Sequence, residues 1–131
     1  MAHQPAKPQV YAYSLIVLLL LGWPVFGQDF HTQHETTRKA SKAFKSAESY
    51  YRSGDYQKCF PFLYKATAED PVFIEAWLML GDAADEIDSL SLAIDAYEKA
   101  YDLSRDFYPG LEYLLASQYV QNQQYDEALN M

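Results

Sequence analysis

Residues 76–104 read AWLMLGDAADEIDSLSLAIDAYEKAYDLS, and their apolar positions follow a helical period twice with one break between. Ala76, Trp77, Leu80, Gly81 and Ala84 form one stripe at i, i+3, i+4 spacing, and Leu90, Ala93, Ile94, Tyr97 and Ala100 form the next. Asp88 and Ser89, lying between the stripes, supply residues suited to start the second helix. Two amphipathic helices joined so tightly must lie side by side. Neither stripe can be covered by its partner alone, so the pair needs neighbours.

Those neighbours are visible as a repeat. Tyr56, Leu90 and Tyr125 are separated by 34 and 35 residues, as are Ala47, Gly81 and Ala116, and Tyr50, Ala84 and Tyr119. Ala66 and Ala100 keep the 34-residue interval. The pattern predicts helices over about 37–53, 56–69, 73–87, 89–103 and 109–123, and the start of a sixth at Tyr125. In the first unit Asp55 is the expected N-cap, and Asp70-Pro71 ends the second helix because proline disfavours helix in the residue before it. Pro109 is expected in the first turn of the fifth helix. Pro61 falls inside the second and predicts a local, packing-tolerated kink. The segment from Gly54 to Pro71 should pack on its own partner helix and on the one beginning near Ile74.

These residues resemble the tetratricopeptide repeat family: Trp77, Leu80-Gly81, Ala93, Tyr97 and Ala100 in the middle unit; Ala47, Tyr50, Gly54-Asp55-Tyr56, Ala66 and Asp70-Pro71 in the first; Leu115-Ala116, Tyr119, Tyr125 and Ala128 in the third. Cys59 stands where the family prefers Ala, and Arg105 where it prefers Pro. The resemblance implies an all-α solenoid of about two and a half helix-turn-helix repeats, near 40–73, 74–108 and an incomplete 109–131, within a domain over 39–131. It also implies a concave partner-binding face formed by the first helix of each pair. Carried onto this chain, that face comprises Phe44, Glu48, Tyr51 and Arg52; Glu75, Leu78, Asp82, Asp85 and Glu86; and Tyr113, Ser117 and Gln121. The Lys/Asn clamp by which some members grip a terminal carboxylate is missing, and Asp82, Asp85 and Glu86 would repel one. The expected partner is therefore a protein or peptide of basic or mixed charge.

Ahead of the repeats, Lys7, the run Leu15–Leu21, Gly22-Trp23-Pro24 and Val25-Phe26-Gly27 have the order of a secretory signal peptide over 1–27, cut after Gly27. The alternative is an uncleaved anchor, although the apolar segment from Val10 to Phe26 is only 17 residues and contains Pro24. Export would place the domain in the periplasm or at the outer membrane, with membrane contact only through this segment or through domains further downstream. Residues 28–38 form a polar leader, expected to be solvated and poorly ordered. The signal, leader and repeats together, with YQKCFPFLYKATAEDP at 56–71, are similar to the front of Bacteroidetes envelope proteins. There such repeats precede a β-propeller and a peptidoglycan-binding domain. The short start at Tyr125 and the uncapped stripe of the third unit lead to the same expectation, a longer protein.

Composition narrows the chemistry. Residues 28–66 carry seven Lys/Arg against four acids, while 67–131 carry two against fourteen, so no basic stripe suits nucleic acid. The single cysteine, Cys59, excludes an intrachain disulfide and reads as a small core residue. His31, His34 and Glu35 lack further ligands at metal-site spacing, and Asp82, Asp85, Glu86 and Asp88 lie along a helix rather than a calcium loop. No phosphate-cradling loop or nucleophile elbow occurs. The reading is a scaffold with no catalytic residues, no cofactor, no metal and no small-molecule substrate; an enzyme or ligand-binding domain is the alternative.

Overall fold

Three left-handed residues at one period shape the molecule. In the computed structural model, which describes residues 29–131, Gly54, Asp88 and Gln123 have φ of 76°, 56° and 61°. Each follows a helix and closes it in the same way. Asp55, Ser89 and Gln124 donate their amides to the carbonyls of Tyr50, Ala84 and Tyr119 at 3.0, 2.8 and 2.8 Å. This six-to-one bond and the shorter one inside it are the helix-stop motif that needs a left-handed residue just past the last turn. Glycine adopts that conformation without penalty, whereas Asp88 and Gln123 adopt it at some cost. The turns are thus made by how the first helix ends. Asp55 and Ser89 do precede the second helices, but neither side chain caps an amide. Asp55 instead holds Lys58 at 2.9 Å.

The elements are α1 (Arg38–Arg52), α2 (Tyr56–Glu69), α3 (Ile74–Asp85), α4 (Leu90–Leu103), α5 (Leu111–Gln121) and α6 (Tyr125–Leu129). The expected helices differ only at their ends. α5 starts two residues later than expected, because Gly110 precedes it at φ 98° and leaves Pro109 outside the helix. Thr37 caps α1 by accepting the Ala40 amide at 3.1 Å. α2 runs on through Pro61, whose ring is solvent-exposed and whose missing amide leaves the Gln57 carbonyl without its helical donor.

Helices pack in chain order, each pair against the next: α1 with α2, α2 with α3, α3 with α4, α4 with α5, and α5 with α6. Among the described residues no strand forms, and the architecture is an all-α solenoid. One core gathers Ala43, Ala47, Cys59, Leu63, Phe73 and Leu80; a second gathers Ile74, Ala93, Tyr97, Leu111 and Leu115; Trp77 and Phe60 touch both. Small residues let the helices approach. Gly81 faces the Tyr97 ring, which the fold seals to 2% exposure. Cys59 is buried, donates weakly to the Ala47 carbonyl at 3.5 Å, and has its thiol pushed up by burial, as suits a core residue.

The leader differs from expectation. It docks. His31 forms a parallel bridge with Phe73, donating its amide to Val72 at 2.7 Å and accepting the Ile74 amide at 3.0 Å. Asp70, 4% exposed, accepts from His31 Nδ1 at 2.8 Å and from Thr36 Oγ1 at 2.6 Å. A buried carboxylate needs donors, and the polar leader supplies them. His31 is thereby engaged with Asp70 through Nδ1, and Glu35 Oε2 accepts from Thr32 Oγ1 at 3.0 Å. The signal peptide with its Leu15–Leu21 run, and its cleavage after Gly27, lie outside the described residues.

Burial alone would push the Asp70 carboxyl up, but the bonds from Thr36, His31 and the Val72 amide, with attraction to His31, together hold it below its ordinary value. A carboxyl held low stabilises the folded state above its unfolded value near ~3.9, and that stabilisation is lost as pH falls through the folded value. The Ile74 amide, bonded to His31, should therefore stay protected from hydrogen exchange down to about pH 4. Asp70→Ala should expose that amide at neutral pH. Equal protection in the variant would show that Asp70 does not hold the leader.

Candidate functional site

The first helices of the pairs, expected to carry the partner-binding face, are α1, α3 and α5. Between α1, α3 and the α4–α5 connection lies a pocket of about 290 Å³, lined by Phe44, Glu75, Leu78, Met79, Asp82, Phe107, Tyr108 and Leu114. Helical spacing brings its α3 wall together. Glu75, Leu78, Met79 and Asp82 recur at i, i+3, i+4 and i+7, one face of the helix.

The wall is acidic and held in place. Asp82 Oδ1 accepts from the Tyr97 hydroxyl at 2.8 Å. Burial pushes the Asp82 carboxyl up; the Tyr97 bond opposes this, and Asp85 and Glu86 add to it. Tyr97 itself is pushed far above its ordinary value, first by burial and then by Asp82. Glu75 Oε1 accepts the Gln33 amide at 3.1 Å, while its Oε2 is buried without a partner among the described residues. Phe107 is backed by Phe30 of the leader in an edge-to-face contact at 5.4 Å. The leader therefore supports the pocket from behind, which its sequence did not suggest.

The twelve residues expected on the concave face divide into groups. Phe44, Glu75, Leu78 and Asp82 come together at the pocket. Phe44 is nevertheless not outward-facing. It is 4% exposed and its ring lies 4.9 Å from that of Phe73, because Phe73 at the pair junction needs an apolar cover. Asp85 accepts from Gln118 Nε2 at 2.8 Å and so ties α3 to α5; Asp82 is bonded to Tyr97, and the exposed Glu86 lies beside the Tyr56 hydroxyl. Glu48 and Arg52 pair with each other at 3.4 Å. Tyr51 meets Tyr56 edge-on, and its hydroxyl is pushed up to about 12 by burial and then by Asp82 and Glu86.

Tyr113 and Ser117 lie elsewhere, on a second, larger hollow of about 540 Å³ shared with Ala116, Val120, Tyr125, Ala128 and Leu129. Gln121 is exposed and lines neither hollow. Met79, Phe107, Tyr108 and Leu114 were missed. Met79 and Leu114 each sit one residue beyond an expected position, and the two aromatics lie in a connection that helical spacing does not describe.

This helix-pair geometry defines a class of protein: an all-α solenoid of stacked helix pairs. The tetratricopeptide repeat family matches residues 74–107, the stretch formed by α3, α4 and the start of the connection beyond. The chain thus carries a tetratricopeptide repeat, and the pairs on either side are built on the same period. Such repeats are typically non-enzymatic modules that bind proteins or peptides. No curated protein matches the chain. Among the described residues no helix is long and apolar enough to cross a membrane, and no group of three His, Cys, Asp or Glu could hold a metal.

Proposed function

We propose that the chain is an exported interaction scaffold of the cell envelope, which captures a basic or mixed-charge polypeptide along its concave side as part of a larger complex. The observation that carries this reading is the pocket on α3, where two carboxylates and half-buried apolar groups share one wall and the exposed Tyr108 lines the same hollow. Acidic walls attract cationic chains over a Debye length of about 8 Å at physiological salt, and complementary charge sets partner choice and encounter rate. The order of residues 1–27 supports export.

The hydrogen bonds decide how to test the face. Lysine at Asp82 or Asp85 would break the contacts to Tyr97 and Gln118, so loss of binding could reflect damage to the fold. Asp82→Asn and Asp85→Asn keep an accepting oxygen, and the exposed Glu86 tolerates Lys. Full-length chain recovered after export should begin at Gln28. It should capture positively charged ten-residue peptides in preference to acidic ones, less so as salt rises. The triple variant should lose that preference and most of its salt dependence. Unchanged capture would remove this face from the function, and an intact Met1 terminus in the membrane fraction would replace export by anchoring.

A further inference from the structure

We infer that the pocket between α1, α3 and the α4–α5 connection takes a single arginine side chain of the partner polypeptide. This rests on the concave-face reading and names what the face recognises. At about 290 Å³ the pocket lies at the lower limit of ligand sites, which suits one side chain better than a whole small molecule. Leu78, Met79 and Leu114 offer an apolar bed for a long aliphatic stem. Phe107 and Tyr108 of the α4–α5 connection add aromatic rings to the lining, surfaces on which a guanidinium stacks.

Charge supplies the rest. Glu75 and Asp82 stand seven residues apart on α3, about 10 Å along its axis, so they border the pocket at two heights. Among the described residues neither is paired with a cation: the ion pairs that form are His31–Asp70, Lys39–Glu69, Arg52–Glu48 and Lys58–Asp55. Tyr97 occupies Oδ1 of Asp82, and no described residue donates to its Oδ2. Glu75 Oε2 is buried with no donor among the described residues. A buried carboxylate oxygen without a partner is costly, and an incoming cation lowers that cost.

Arginine fits better than lysine. Its guanidinium is more weakly hydrated, stacks on aromatic faces, and carries donors in a planar fork that serves more than one acceptor. The leader holds Glu75 through the Gln33 amide and backs Phe107 with Phe30, so the site is formed before the ligand arrives.

Pentapeptide libraries with a fixed central residue test this on the full chain, the centre being arginine, lysine, citrulline or leucine. Citrulline keeps the shape of arginine and removes its charge. The arginine set should bind about tenfold tighter than the citrulline set, with lysine between, and should shift the Met79 methyl resonance. In the Glu75→Gln, Asp82→Asn variant, which keeps both accepting oxygens and should keep its helical circular dichroism, arginine and citrulline should bind alike. Equal binding of the two sets by the native chain, a lysine set as tight as the arginine set, or an arginine preference that survives in the variant would each overturn the assignment. Peptide binding with no arginine preference would leave the concave-face reading standing. Binding of no peptide from any set would end both.

Discussion

Phe73→Ala is expected to destabilise the chain by about 3–5 kcal/mol, which for a domain near 100 residues lowers the melting temperature by at least ~12 °C. Phe73 is fully buried where the first pair meets the second, against Phe44 at a ring distance of 4.9 Å. Three elements meet there: α1 through Phe44, the α2–α3 junction through Phe73 itself, and the leader through the His31 bridge. A cavity at such a point cannot close by moving one helix, because the backbone around it is hydrogen-bonded on both sides. Thermal unfolding followed by circular dichroism measures the loss. A drop of less than about 4 °C would mean that the junction repacks freely.

Gly81→Ala should also destabilise, against the ordinary preference of helices for alanine. In an exposed helix the change would gain up to ~1 kcal/mol. Here a Cβ would stand 2.5 Å from Cδ1 and 2.9 Å from Cζ of Tyr97, well inside contact distance. The ring cannot swing away easily, being 2% exposed and tied through its hydroxyl to Asp82. Overpacking of this kind costs ~1–3 kcal/mol, enough to reverse the sign. Adding Tyr97→Leu should make the double variant less damaged than the sum of the two single changes. Simple additivity would show that the two residues do not share the space.

Gly81 and Tyr97 also show what could be read from residues alone. A glycine and a tyrosine sixteen places apart, within a 34-residue period, state the packing of α3 on α4 almost completely. Helix ends were legible where backbone chemistry forces them, at Asp70-Pro71 and Gly54. The turn at Asp88 was legible as a turn but not as a helix stop, because aspartate is better known as a helix starter than as a left-handed residue. The leader was illegible for a different reason. HTQHETT has no period and no apolar stripe, and its order comes from a buried acid 34 to 39 residues further on.

The site was legible by halves. Glu75, Leu78 and Asp82 follow from the face of α3, since spacing along one helix is a local property. The hydrogen bonds that turn Asp82 and Asp85 from a solvated stripe into fixed groups cross between helices, to Tyr97 and Gln118. No spacing along the chain announces them. Phe44 points the same lesson from the other side, for its position suggests an outward ring while its neighbour Phe73 demands an inward one.

The His31–Phe73 bridge fastens the first boundary of the solenoid across two units. In a stack of helix pairs each unit is held only by its neighbours, so opening normally starts at either terminus and spreads inward. The leader crosses the first boundary and bonds to Val72 and Ile74 on its far side, so the first pair cannot peel away alone without tearing a second unit's backbone bonds. Opening of the first pair is thus coupled to the second, and the pocket on α3 lies beside the boundary that the bridge fastens.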